Sequence, residues 1–252
     1  MAAVIAVAAI SFVPARAAAP LETETARLAQ RGELVMEANY EFQTSSGGTE
    51  AAIPLAFEYG LTRGLELMAE PVPYTSIKPK SVRGPTGVGD IEVTLSGLVR
   101  SESRRVPALA LAGEIKIPTA EAPLIGSDHY DWTTYLIGSK RYGSVDVHAN
   151  LGYTIVGHPS DFDVNNTIDY AVAVEYFLGP RWCVVAEVVG NTAAIPETGS
   201  AESTVAPEHS GGETVGMLGA RWQWTPGFIA SFGVTLDNNG AVLVRPGLTA
   251  RF

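Results

Sequence analysis

His148-Ala149-Asn150 sets an imidazole and a carboxamide two residues apart, and Asp146 stands two residues before them. In an extended chain, side chains two apart share a face, so Asp146, His148 and Asn150 form one polar row. Such a row could serve a nucleophilic hydrolase, in which a histidine takes the proton of a serine hydroxyl and a third group orients the imidazole. No serine stands two residues from His148 to act as the nucleophile. A hydrogen-bonding role for the histidine is the plainer expectation, and esterase activity lost in His148→Ala would mark the other.

A second set of residues could act by charge. Asp90, Glu92, Glu114, Asp169, Glu175 and Glu187, with Lys116, Arg221 and Arg245, each alternate with apolar residues. Ionised groups sharing one face could select solutes by their field, or could brace one another through ion pairs. Two acidic runs, SDHYD (Asp128, His129, Asp131) and HPSDFD (His158, Asp161, Asp163), could hold a divalent cation through oxygen ligands. Solvated acidic loops have the same composition. TGVGD contains G-x-G, but a loop precedes it and a strand follows, which is not the setting of a dinucleotide site. The single cysteine, Cys183, excludes an intramolecular disulfide and a thiolate metal cluster. No cofactor and no resident metal are expected. A net charge of −10 argues against a nucleic-acid partner, which attracts Lys and Arg stripes.

The elements that must position these residues are strands. Leu34, Met36, Ala38, Tyr40 and Phe42 fall on one face, with Glu37, Asn39 and Glu41 on the other. The same two-residue alternation recurs to the C-terminus, where Leu248, Ala250 and Phe252 oppose Thr249 and Arg251. It predicts twelve strands, most of about ten residues, longer than the five or six common in globular proteins and matched to a tilted bilayer crossing. Only around 130–140 is the phase open, because Trp132 and Leu136 compete with Tyr135 and Ile137.

The connections alternate in length. Thr62-Arg63, Ser101 to Arg104, Lys140 to Gly143, Gly179-Pro180 and Thr225 to Gly227 are short. The stretches near 44–50, 74–87, 119–129, 158–166 and 192–213 are longer, and only Asn238-Asn239-Gly240 is tight again. Short periplasmic turns, longer outer loops and an even strand number are the pattern of outer-membrane barrels. Aromatic residues gather near both strand ends, with Tyr59, Trp182, Trp224 and Phe252 toward the short turns and Tyr40, Phe42, Trp132 and Tyr153 toward the long loops, as interfacial girdles do. The fold class expected is all-β, a single 12-stranded antiparallel transmembrane β-barrel of outer-membrane type.

Residues 1–17 read as a cleaved signal peptide, with an apolar run from Ala2 to Val13 and an A-x-A site at Ala15-Arg16-Ala17. Residues 18–32 read as a short periplasmic lead-in and 33–252 as the barrel. The expected location is the outer membrane of a Gram-negative bacterium. Lipid and lipopolysaccharide are then partners, Lys78, Lys80 and Arg83 being placed to meet lipopolysaccharide phosphates. The C-terminal strand ending at Phe252 would meet barrel-assembly machinery. Arg63, Arg104, Arg105, Lys140, Arg141 and Arg181 gather at the short turns, whereas acidic residues dominate most long loops.

The segments TGVGDIEVTLSGLVR, ALAGEIKIPT, SKRYGSVDVHANLGYT and RPGLTARF resemble the outer-membrane proteins grouped under meta-pathway phenol degradation, from about Gly32 to Phe252. The resemblance implies an exported barrel and a transporter of small molecules, including aromatic or hydrophobic compounds, with no catalytic or binding residues to carry over. The expected function is a channel whose lumen is lined by Asp90, Glu92, Glu114, Lys116, Asp146, His148, Asn150, Asp169, Glu175, Glu187, Arg221 and Arg245 and passes small cations better than anions. The alternatives are an outer-membrane lipid-modifying enzyme and a structural barrel with a plugged lumen.

Overall fold

The computed structural model of the chain describes residues 19–120, 125–158, 164–194 and 212–252. The signal-peptide reading, Asp161, Asp163 and most of the long acidic stretch before Gly212 lie outside the described residues. No helix occurs among the described residues, and the strands form one antiparallel sheet that closes on itself.

The first four strands are each built of two pieces. Strand β1 is Leu34–Asn39 with Glu41–Thr44, β2 is Gly48–Ala52 with Leu55–Thr62, β3 is Leu65–Pro71 with Thr75–Pro79, and β4 is Thr86–Gly87 with Ile91–Arg100. The remainder are continuous: β5 Ala108–Ile117, β6 Asp131–Tyr142, β7 Val145–Ile155, β8 Thr167–Phe177, β9 Trp182–Asn191, β10 Thr214–Thr225, β11 Phe228–Asp237 and β12 Val242–Arg251. Pro54 and Pro73 lie in two of the breaks, where a residue without an N–H cannot donate to the ladder. Hydrogen bonds still cross the interruptions, as from Ile53 N–H to Tyr74 O at 2.9 Å and from Gly89 N–H to Val72 O at 2.8 Å.

Closure is made by β1 and β12, in register from Val35 opposite Arg251 to Asn39 opposite Gly247. Leu34 and Phe252 exchange two further backbone bonds, of 3.1 and 2.9 Å. Every strand therefore has two neighbours, as hydrocarbon demands, because each unpaired backbone group there costs several kcal/mol. The terminal Phe252 is held by the seam itself.

Alternation sets the two faces. Leu111, Leu151, Tyr153, Val172, Leu218, Phe232 and Leu248 stand exposed on the outer wall, while their neighbours in sequence turn inward. Around 130–140 Trp132 and Leu136 face out, and Ile137 is buried inside. Two outer connections are shorter than the sequence suggests. Gly48–Ala52 pairs with Thr75–Pro79, so these strands run on beyond the expected ends and only residues 45–47 and 80–85 remain as turns. Lys78 consequently lies on β3 rather than in a loop.

The lead-in over 18–32, expected on the periplasmic side, needs correction. Its described part enters the barrel. Leu21 packs with Cys183, Val185 and Met217, and Ala26 packs with Ala108, Ala110, Ala112 and Ile137. These inward positions are small or apolar because they receive the segment, which we call the strap.

Candidate solute pathway

The strap arches across the lumen with both described ends toward the short-turn side. At one foot, Ala29 N–H donates to the Glu66 carboxylate on β3. Arg27 then forms a bidentate pair with Asp146 at 2.9 and 2.7 Å and reaches Glu102 in the β4–β5 turn at 2.9 Å. Arg141 holds the same Asp146 at 2.8 Å. Burial pushes the Glu102 carboxyl up, but the Arg141 N–H, the Lys140 ammonium and Arg27 outweigh it and hold it down at about 2. A carboxylate with a depressed pKa contributes its stabilisation above the usual carboxylate range and loses it only as pH falls through the lowered value. This latch thus stays ionised under any growth condition near neutrality.

Higher in the lumen the strap's backbone docks on side chains of the wall. Ala26 N–H donates to Ser139 Oγ at 2.9 Å. Asn150 pairs with both the N–H and the C=O of Glu24, at 2.7 and 3.0 Å, as a neighbouring strand would. Glu187 Oε2 accepts from Glu22 N–H at 3.0 Å and Thr23 N–H at 3.3 Å. Arg245 donates to Leu21 O at 3.1 Å and pairs with Glu22, and Arg221 donates to Ala19 O at 2.7 Å. Gly219 belongs to this seat, because a Cβ there would meet Leu21 Cδ1 at 2.6 Å.

His148 is buried behind the strap. Its Nδ1 lies 2.8 Å from Ser139 Oγ and its Nε2 lies 3.2 Å from Glu175 Oε2, and Glu175 is also paired with Arg221. The serine absent from the His148 row comes from the neighbouring strand, since Ser139 is opposite His148 in the β6–β7 ladder. Counting outward from the turn at Gly143-Ser144 would have paired them. Ser139 is 1% exposed, and its hydroxyl is shared among Ala26 N–H, Thr25 Oγ1 and His148. That is a saturated anchor with no room for an acyl substrate. Asp146, His148 and Glu175 also bring one ligand atom each within 4.8 Å of one another, but Arg27, Arg141 and Arg221 already neutralise both carboxylates, which disfavours a cation there.

Above the strap lies a cavity of about 720 Å³. Glu22 and Glu24 of the strap line it from below, and Glu50, Glu70, Glu92, Glu114, Asp169 and Glu213 line it from the wall, with Tyr135 and Asn150. No Lys or Arg is among its described lining residues. Glu70 and Glu92 face each other in register, and carboxylate oxygens of Glu70, Glu92 and Glu114 lie within 4.8 Å of one another. Lys116, opposite Glu92 in the ladder, turns to Asp131 and to Ser127 at 2.7 Å, leaving the vestibule acidic.

Of the residues proposed from sequence to line the lumen, Glu92, Glu114, Asn150 and Asp169 stand on the vestibule wall. Asp146, His148, Glu175, Glu187, Arg221 and Arg245 are buried at the strap. Asp90 and Lys116 lie at the outer end, where Asp90 accepts from Thr119 N–H at 3.0 Å and Ala120 N–H at 2.9 Å. Glu22, Glu24, Arg27 and Ser139 were not anticipated.

The strap gives a first expected result. Asp146→Asn takes from Arg27 its fully buried, bidentate partner and leaves it only Glu102, a loss on the order of 3 kcal/mol for the docked strap. Trypsin should then cut after Arg27 about a hundredfold faster than in the wild-type barrel. Equal rates would show that Asp146 does not hold the strap.

Among solved structures the fold resembles the COG4313 outer membrane channel from Pseudomonas putida F1, at 14% identity and TM-score 0.68, covering 94% of this chain and 100% of that one. It also resembles the NanC porin, at 10% identity and TM-score 0.60 over 85% and 98% of the two chains. The KdgM porin aligns at 10% identity and TM-score 0.55, over 86% and 99%. These likenesses show the fold, that of outer-membrane barrels. No curated protein matches the chain by sequence. The family model described as "Putative MetA-pathway of phenol degradation" matches residues 29–246, and the chain belongs to that family.

Proposed function

We propose that this barrel is a channel through which small organic solutes, aromatic compounds among them, enter an acidic vestibule and pass on when the strap yields. The observation that carries the proposal is the cavity itself, which lies inside a closed barrel, is lined by carboxylates without a described Lys or Arg, and is floored by a strap held through replaceable polar contacts. A field of one sign concentrates cations and neutral polar molecules and repels anions. The KdgM porin has been solved with oligogalacturonate, a polyanion; the vestibule here is suited to the opposite charge.

A second reading, hydrolysis, is favoured by the Ser139–His148–Glu175 chain. We read that chain as an anchor, because its serine faces the lumen, is covered by the strap and is saturated with hydrogen bonds. A purely structural barrel would leave the cavity and its charge without a role. The deciding experiment is a single-channel reversal potential in a salt gradient. A cation-preferring sign is expected, and anion preference would overturn the proposal.

A further inference from the structure

Six arginines stand exposed at the short-turn end of the barrel: Arg31, Arg63, Arg100, Arg104, Arg105 and Arg181. None of them makes an ion pair with a described residue. The inward cations of the same region differ. Arg27 and Lys140 share Glu102, Arg141 holds Asp146, and Arg251 lies 3.7 Å from Glu33. Glu33 and Glu102, the carboxylates of these turns, are therefore already engaged. The outward rim carries one sign of charge, in a chain whose net charge is −10.

The height of the arginines is fixed by their neighbours. Tyr142, Leu178, Trp182 and Trp224 are exposed at the same end. Trp182, Trp222 and Trp224 stack along the outer wall, with centroids 5.9 and 6.2 Å apart. Such rings settle at the headgroup level of a bilayer, so the adjacent guanidinium groups lie at the level of lipid phosphates. A guanidinium meets a phosphate through two parallel N–H···O bonds. Arg31 at the strap's foot, Arg63 in the β2–β3 turn and Arg100, Arg104 and Arg105 at the β4–β5 turn occupy the β1–β5 side of the rim, and Arg181 in the β8–β9 turn stands apart from them. Each group stands next to exposed apolar residues of the outer wall, Leu61 by Arg63, Val99 by Arg100 and Trp182 by Arg181, which places it against lipid rather than against a soluble partner.

We propose that this rim binds the anionic phospholipid headgroups of the periplasmic leaflet, which seats the barrel at a defined depth. The proposal is independent of what the lumen conducts. Its test uses tryptophan fluorescence of the full barrel reconstituted with brominated lipids, in a Trp132→Phe background that removes the reporter at the far end. Brominated phosphatidylglycerol should displace phosphatidylethanolamine around Trp182 and Trp224, which stand beside Arg181, and around a second reporter, Tyr59→Trp, beside Arg63, with a preference of roughly fivefold per arginine engaged. The preference should shrink as salt shortens the range of the attraction. It should vanish in the combined Arg63→Gln, Arg104→Gln, Arg105→Gln and Arg181→Gln variant, with heat-modifiable gel mobility showing that the barrel is intact. Equal quenching by the two lipids in the wild-type rim, or a preference that survives the four substitutions, would overturn the assignment. So would binding of soluble polyglutamate in place of the lipid preference, which would give the rim to an acidic protein.

Discussion

A barrel lacking residues 19–30 is expected to fold and to conduct several-fold more current than the intact chain. The strap adds no strand to the ladder, and closure rests on β1 and β12 alone. Its contacts are with side chains of the inner wall, among them Asn150, Ser139, Asp146 and Glu187. Without the strap these groups meet water, which replaces the lost hydrogen bonds at a net cost of about 1 kcal/mol each. Small barrels are filled by side chains and aqueous channels appear near sixteen strands. With twelve strands, the inward alanines Ala108, Ala110 and Ala112 leave space that the strap occupies through Ala26. Planar-bilayer recording reads the effect directly. Unchanged conductance in a deletion protein that retains heat-modifiable mobility would show that the strap is no barrier.

The second large effect concerns selectivity. Converting Glu70, Glu92 and Glu114 together to glutamine should bring the cation-to-anion permeability ratio down about tenfold or more toward unity. A unit charge about 4 Å from a cation contributes about 1 kcal/mol even in bulk water, and these three share one patch. The loss should be largest in dilute salt and small at 1 M, where the screening length falls to about 3 Å. The triple change removes a like-charge cross-strand pair, Glu70 opposite Glu92, so the variant should be no less stable than the wild type. Reversal potentials across a salt gradient give the ratio, and an unchanged ratio would place the selectivity elsewhere.

The barrel wall was legible in the sequence because its signal has a strict period of two. Leu218, Phe232 and Leu248 had to face one way and Arg221, Thr235 and Arg245 the other, whatever their partners were. Around Trp132 and Tyr135 both faces carry large apolar residues, so periodicity could not choose. The structure resolves it by burying Ile137 against Ala26 and the inward alanines of β5. Ala26 belongs to the strap, which is where legibility fails. The strap is held through its backbone N–H and C=O groups, and these leave no trace in residue type. Thr23 and Thr25 alternate with Glu22 and Glu24, but four residues are too few to separate a docked segment from a polar linker. The inward carboxylates were readable as a face. Their division into an acidic vestibule and a strap seat depends on register and on Lys116 turning away to Asp131.

A reversible cross-link tests the account most directly. Thr25 Oγ1 and Ser139 Oγ are 3.2 Å apart, so cysteines at both positions, in a Cys183→Ala background, can join the strap to the wall. If the lumen is the path and the strap its barrier, proteoliposomes carrying the oxidised protein will take up a small aromatic cation no faster than empty vesicles, and a reductant will restore uptake. Equal uptake in the two redox states would mean that solutes cross without moving the strap, and would contradict the account.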